Sequence, residues 1–360
     1  MKKSLIALAA LAAAGAASAQ SSVTLFGIVD ATLAYGTASG TGSGHRWQLT
    51  NSGYNGSRLG FRGTEDLGGG MSASFWLEAG VNNDNGTGAA TNTNNQASGG
   101  AVAGIGGGQG LTFNRRSTVS LAGGWGELRL GRDYTPQFWN LTVFDPFGTN
   151  GVGTTQVLKS IITGVTAVRA SNSIGYFLPG NLGGFYGQVQ YYMGENARTG
   201  AATQNDGNGA GIRVGYASGP FNVALALSET KYAAGKVHQN NIAGQWDFGM
   251  AKVMGEYSWD ENGTTDGRGW LIGGLIPVGP GEIRVAYSRY TTDLAGTGVD
   301  PRSNKIALGY VHNLSKRTAL YATVARVSNR NGAASVLNGA TAGTANQNSS
   351  GFDLGIRHSF

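Results

Sequence analysis

The chain of 360 residues carries 62 glycines, 7 prolines and no cysteine, and only 13% of its residues are charged, about half of the roughly 25% usual in soluble domains. Mean hydropathy is −0.16, so apolar residues do not replace the missing charge; the balance fits a wall with one apolar and one polar face, joined by polar loops. No disulfide framework can carry this fold, and the modest basic excess does not suggest nucleic acid.

The first segment reads as an export signal. Lys2 and Lys3 precede an apolar run from Leu5 to Ala17, and Ala17-Ser18-Ala19 before Gln20 offers a small-residue cleavage site. The run is too short for the ~20 residues of a spanning helix. The expected organisation is a signal peptide, 1–19, followed by one domain, 20–360. Removal of 1–19 leaves 24 Lys and Arg against 20 Asp and Glu, a net charge of +4.

From there the chain alternates with period two and shows no helical period. Short turns fall at 66–70, 123–126, 179–184, 218–220, 247–250, 277–281 and 313–318. Longer loops rich in Gly, Asn, Thr and Ser fall near 37–54, 83–111, 134–168, 195–209, 231–237, 261–267, 292–302 and 330–349. Seven short turns and eight long loops connect sixteen strands. An even count, with short turns at one end and long loops at the other, is the pattern of bacterial outer-membrane barrels. The predicted fold is therefore all-β, a sixteen-stranded antiparallel transmembrane β-barrel. Its first and last strands must pair, because an open edge in lipid leaves backbone groups unsatisfied at several kcal/mol each.

Single strands show which face meets lipid. Phe352, Leu354, Ile356, His358 and Phe360 share one side of the last strand; Asp353, Gly355, Arg357 and Ser359 share the other. Leu59 and Phe61 oppose Arg58, Gly60 and Arg62, and Ile283, Val285 and Tyr287 oppose Arg284, Ala286 and Ser288. With no helices to cover so many half-apolar strands, lipid is the expected cover. Around 319–327 either parity gives a mixed face.

Several segments, in order and spanning nearly the whole chain after residue 19, resemble the trimeric general porins of Gram-negative bacteria, of β-proteobacterial type. They are Ser22 to Gly27 (SVTLFG), Ser57 to Gly68 (SRLGFRGTEDLG), Gly131-Arg132-Asp133-Tyr134, Asp145-Pro146-Phe147-Gly148, Arg169 to Ile174 (RASNSI), Asn313 to Thr318 (NLSKRT) and the terminal Arg357-His358-Ser359-Phe360. The resemblance implies a sixteen-stranded barrel, a homotrimer, a third loop folded into the channel, and passive diffusion of small hydrophilic solutes and ions. It implies an outer-membrane setting with lipid and lipopolysaccharide as neighbours. It also implies that the terminal aromatic, Phe360, is the signal read by the barrel-assembly machinery; a last strand needs an aromatic near the interface in any case.

Loop 134–168 differs from the polar loops. It carries Phe138, Trp139, Leu141, Val143, Phe144, Phe147, Leu158, Ile161 and Ile162, and a solvated loop gains nothing by exposing them. A sixteen-stranded barrel otherwise encloses a wide water channel, so the loop is expected to fold inward and narrow it. Facing it, alternation turns Arg58 and Arg62 inward, and Arg129, between Leu128 and Leu130, likewise. The resemblance carries pore-lining roles onto Arg58, Arg115 and Arg169. Of Arg115 and Arg116 only one can face inward in a regular strand, and the resemblance favours Arg115. Arg132 and Lys159 are further candidates, Arg132 with a structural pairing role equally open. On the loop the clear acid is Asp145, with Asp133 at its base. General porins often set several loop acids against the arginines; this chain does not, which favours small anionic or neutral solutes and an anion preference.

There is no GxSxG, HExxH, CxxC or P-loop, and His45, His238, His312 and His358 lie in different hairpins without ligand spacing. The glycines at 104–110 lie in a loop and not between strand and helix, so they form no phosphate cradle. No catalytic residue, metal or cofactor is expected. Three classes remain: a passive channel, a barrel enzyme acting on lipid or peptide, and a non-conducting adhesin. The absent nucleophile set disfavours the enzyme.

Overall fold

The structure, a computed structural model, describes residues 22–100, 110–159, 164–342 and 344–360. The expected signal peptide, the glycine cluster at 104–109, Ile161 and Ile162 lie outside the described residues, as does the side chain of Lys159.

The strands are β1 (Ser22–Ala38), β2 (His45–Asn51), β3 (Arg58–Gly68), β4 (Met71–Asn82), β5 (Thr87–Gly88), β6 (Arg116–Gly123), β7 (Gly126–Tyr134), β8 (Arg169–Phe177), β9 (Phe185–Tyr192), β10 (Gly209–Ser218), β11 (Phe221–Tyr232), β12 (Gly235–Asp247), β13 (Lys252–Asn262), β14 (Thr265–Val278), β15 (Gly281–Leu294), β16 (Arg302–Asn313), β17 (Thr318–Arg330) and β18 (Ser349–Ser359). Each pairs antiparallel with its neighbours, and β1 pairs with β18 from Ile28↔Ser359 to Ala38↔Ser349. The wall is closed. β2 and β3 share one position in it, against the two halves of β1, and β5 is a two-residue ladder on the end of β4. Sixteen wall positions result.

Closure is sealed at the C-terminus. The Gly27 N–H donates to the Phe360 carbonyl and the Phe360 N–H to the Gly27 carbonyl, both at 3.1 Å. Glycine is required at 27, because a Cβ there would come within 2.4 Å of the Phe360 ring.

Between β2 and β3 the wall opens into a bulged segment, 52–57, organised by buried Asp30. Its carboxylate accepts from the N–H groups of Tyr54 at 2.9 Å and Asn55 at 2.6 Å, and from the Tyr321 hydroxyl. A buried carboxylate is tolerated only when so paired.

The alternation holds around the barrel. Leu25, Leu354 and Ile272 stand more than half exposed on the outside, while Asp30, Thr32 and Asp353 on the same or adjoining strands are buried within. All seven expected short turns are present. Three long-loop expectations are corrected. Residues 45–51 form β2, not loop. The loops expected at 231–237 and 261–267 are two-residue turns, with Tyr232 paired to Gly235 and Asn262 to Thr265. The polar residues that suggested loops there, such as Lys236 and Glu261, occupy strand positions above the apolar band; polarity marks the rim of the membrane, not the end of the ladder.

The absence of helical period is also corrected. Residues Pro136–Val143 form a short helix, α1, with Pro136 in its first turn, where a missing N–H costs nothing. Eight residues are too few for a visible apolar period.

The described residues 135–159 and 164–168 pack on the inward faces of β10 to β18. The Asn140 amide donates to the Ala224 carbonyl at 3.0 Å, and the Asn241 amide donates to the Gln137 carbonyl at 3.1 Å. The Gln156 N–H donates to Ser288 Oγ at 3.0 Å and the Val152 N–H to the Asp353 carboxylate at 2.6 Å. Phe144 packs on Ala224 and Ala243. Phe147 and Val152 pack with Leu271, Ala286, Ala307 and Ala325. Most of those wall positions are alanine because the loop fills the space in front of them, and a Cβ at the neighbouring Gly273 would meet the Pro146 ring at 2.7 Å.

Candidate functional site

The wall that the loop leaves uncovered is β3 to β8, and its inward side chains are large and basic. Register sets them. Arg58 pairs with Gly80, Gly60 with Glu78 and Arg62 with Trp76; Glu78 pairs with Arg116 and Trp76 with Thr118. These residues share the inward face.

Arg115 and Arg116 both reach the lumen. Arg116 is the first residue of β6 and is inward by register. Arg115 precedes the strand, so alternation does not bind it. Its N–H is held by the Glu78 carbonyl at 3.0 Å, and its side chain turns in to the Glu78 carboxylate at 2.6 Å.

An upper cluster forms from four strands. Glu78 pairs with Arg58 at 3.3 Å and with Arg115. Arg115 donates to the Tyr134 hydroxyl at 2.9 Å, and Arg169 donates to the same oxygen at 3.0 Å. Arg169 also donates to the Arg115 carbonyl at 2.9 Å, and its guanidinium lies over the Tyr134 ring, 4.5 Å from the centroid. Tyr134 is itself stacked by Phe138 of α1 at 5.0 Å. Three guanidiniums thus face one carboxylate. They line a cavity whose other side is the loop, with Phe138, Trp139, Thr142, Pro146 and Phe147, and the Tyr54–Arg284 pair.

A second cluster lies below it, toward the short turns. Arg129 pairs with Glu127 at 2.9 Å and with Asp133; Arg116 stands 3.9 Å from Asp133 and over Trp76. Two arginines meet two acids, so this group is locally neutral. Arg62 is exposed near the short-turn end, stacked on Phe26 and Trp76. Arg132 points the other way: a bulge at Gly131, φ +121°, turns it to hydrogen-bond the Asn114 carbonyl at 2.6 Å and Ser171 Oγ at 2.8 Å. It ties loops to the wall.

Asp145 does not confront the arginines as an open charge. It is 3% exposed, and its carboxylate accepts from the N–H groups of Phe147, Thr149 and Thr155 at 2.9, 3.1 and 2.9 Å. It caps the loop's own turn. The loop face of the cavity therefore carries no free acid among the described residues.

Glu78, Tyr134, Tyr54 and Arg284 were not among the expected site residues. For Glu78, between Leu77 and Ala79, and Arg284, between Ile283 and Val285, alternation was a usable signal. For Tyr134 and Tyr54 there was none, because both sit where a strand ends and side-chain direction escapes the period. Among the described residues no group of His, Cys, Asp and Glu could hold a metal.

Comparison with known proteins agrees with this architecture. Residues 5–332 match the Gram-negative porin family. The chain is 39% identical to outer membrane porin protein 32 of Delftia acidovorans, over the whole of both chains. It is 29% identical to an outer membrane porin protein of Bordetella pertussis, over 89% of this chain and 93% of that one. Among solved structures it is similar to the anion-selective porin from Comamonas acidovorans, with a TM-score of 0.81 and 35% identity over 95% of this chain and 100% of that one. An outer membrane protein of Vibrio cholerae, in a loop-deleted form, shares the fold at 13% identity, with a TM-score of 0.67 and coverage of 94% and 99%.

Proposed function

Because the chain belongs to the Gram-negative porin family and forms a passive outer-membrane channel, we propose that this channel prefers anions and that Arg58, Arg115 and Arg169 carry most of the preference. One observation supports this above the rest: three guanidiniums are gathered around one carboxylate, Glu78, which pairs with Arg58 and Arg115 while Arg169 rests on Tyr134, and the loop opposite has its acid folded into its own backbone. Guanidinium stays charged at any working pH, and rings of fixed positive charge in a narrow pore select anions. Low-dielectric walls focus that field. Arg116, Arg129 and Arg62 contribute less, the first two because Glu127 and Asp133 neutralise them.

The third loop sets the width of the passage in this reading, and the channel is a homotrimer. The outward face of β1 around Ala31 is poor in large side chains, which suits a protein neighbour better than lipid. Residues 1–19 act as a signal peptide, and Phe360 serves assembly. The similarity to the anion-selective porin from Comamonas acidovorans supports the same reading.

The direct test replaces Arg58 and Arg169 together with glutamine and measures reversal potential across a low-salt gradient. A clear shift toward cations, with the barrel folded, is the expected result. A wild-type cation preference, or a double variant with undiminished anion preference, overturns the assignment.

A further inference from the structure

Between the third loop and the wall lies a small closed cavity that is separate from the arginine cluster. Register builds its floor. Gln239 of β12 stands opposite Asp260 of β13, and Asn241 stands opposite Ser258. The next strand, β14, offers only glycine there: Gly267 pairs with Asp260 and Gly269 with Ser258. A Cβ at Gly269 would meet Ser258 Oγ at 2.7 Å and Val157 at 2.6 Å. Over these glycines the Tyr290 hydroxyl of β15 reaches Asp260 and donates to it at 2.8 Å. The loop supplies the roof, with Gln137 and Leu141 of α1 and with Val157, Leu158 and Ala167. The cavity measures ≈ 10 Å³, the lower limit for one water-sized occupant.

Its polar groups are almost wholly buried: Gln137 and Ser258 are 1% exposed, Asn241 2% and Asp260 7%. Gln137 Oε1, Asn241 Oδ1 and Ser258 Oγ have no hydrogen-bond partner among the described residues. The two amides are fixed the way round they stand. Gln137 Nε2 donates to the Thr166 carbonyl at 3.1 Å, and Asn241 Nδ2 donates to the Gln137 carbonyl at 3.1 Å. A flipped amide would set oxygen against carbonyl oxygen. Asp260 accepts from Tyr290 and from the Asn240 N–H at 3.3 Å. Among the described residues no lysine, arginine or histidine forms an ion pair with it. A carboxylate so deeply buried calls for a positive partner or a metal ion.

We propose that this cavity binds a sodium ion, with the Asp260 carboxylate as its charge partner and Gln137 Oε1, Asn241 Oδ1 and Ser258 Oγ as neutral ligands. The site needs a positive charge and an occupant that takes lone pairs from several oxygens at once, and a hard cation is both. One carboxylate among neutral oxygens balances a single charge, which disfavours divalent ions. The small volume disfavours potassium and organic cations. A water molecule has two hydrogens to give and leaves the carboxylate charge unbalanced. Gln137 belongs to the loop and the other ligands to β12 and β13, so the ion fastens α1 to the wall behind the constriction.

The test uses the folded porin in mild detergent with EDTA, exchanged into choline chloride and titrated with sodium chloride at constant ionic strength. Hydrogen exchange of the peptide 136–158, followed by mass spectrometry, reports how firmly the loop is seated; peptides from β6 and β7 serve as the internal reference. Sodium should slow exchange in 136–158 at least fivefold, saturably, and leave the reference unchanged. Potassium chloride at the same concentration should do far less. In S258A the half-saturating sodium concentration should rise at least threefold, and in D260N sodium should have no effect on exchange. Equal exchange in sodium and in choline would assign the cavity to a water molecule and overturn the proposal, whether or not the variants fold. Equal protection by sodium and potassium would mark a general salt effect and overturn it too. A folded D260N that keeps the sodium response would do the same.

Discussion

Arg115 and Arg169 donate to one oxygen, the Tyr134 hydroxyl, at 2.9 and 3.0 Å. Two like charges are held side by side because a phenol lone pair and the ring face beneath Arg169 receive them. Replacing Tyr134 with phenylalanine removes the shared acceptor and keeps the ring. We expect a stability loss of about 1–3 kcal/mol, the usual cost of leaving part-buried donors unsatisfied. Anion preference should fall by less than in the Arg58/Arg169 double variant, since both charges remain. Denaturant titration and reversal potential, measured on the same preparation, separate the two effects; a selectivity loss as large as that of the double variant would contradict the assignment.

Glu78 is the carboxylate in the upper cluster, paired to Arg58 and Arg115. Changing it to glutamine should strengthen anion preference. The gain should be clear near 0.1 M salt and small at 1 M, because the Debye length drops from ~10 Å to ~3 Å. Neutralising Glu127 in the lower cluster should do less, as that residue stands nearer the short-turn end. An E78Q channel that moves toward cations would show that the arginines do not set the sign of selectivity.

The loop buries Phe144 and Phe147 against alanines of the wall. Removing the central part of 138–150 should widen the passage and raise single-channel conductance severalfold, with the ladder of β1 to β18 intact. The milder Phe147→Ala should destabilise the loop's seat by roughly 3–5 kcal/mol, as for other buried aromatic truncations, and increase current noise before it changes mean conductance. Unchanged conductance in the deletion variant would place the constriction elsewhere.

Phe360 closes the ring through reciprocal backbone bonds with Gly27 and fills the space that this glycine leaves open. Deleting Phe360 should cut the amount of heat-modifiable barrel in the outer membrane by several-fold while export continues. Gly27→Val should do the same through steric conflict with the ring. Normal barrel levels in both variants would remove Phe360 from assembly.

Chemical cross-linking in mild detergent should give a species of three chains. Only monomer, under conditions where the barrel remains folded, would exclude the trimer.

The alternation of side chains, the seven tight turns and the terminal aromatic were sufficient to specify a closed barrel, since a strand in lipid must hide every backbone group in a ladder and show apolar side chains to one side only. Period two therefore turns Arg58 and Arg62 inward, as the register does. The same rule was silent wherever a strand began or ended. Arg115 lies one residue before β6 and turns inward beside Arg116, against strict alternation, and Tyr134 ends β7. Partnership was likewise invisible. Nothing local distinguishes Arg58, in a cluster with excess positive charge, from Arg129, neutralised by Glu127 and Asp133. Those pairings depend on cross-strand register and on a bulge at Gly131. Asp145 shows the limit most plainly. Its sequence position marked it as the loop's charge, yet the backbone N–H groups of Phe147, Thr149 and, ten residues on, Thr155 enclose it. Only the folded loop could decide that, because a carboxylate's role follows from which donors reach it: Phe147 and Thr149 are near in sequence, but the Thr155 N–H and the wall that buries the group arrive only when the loop folds back.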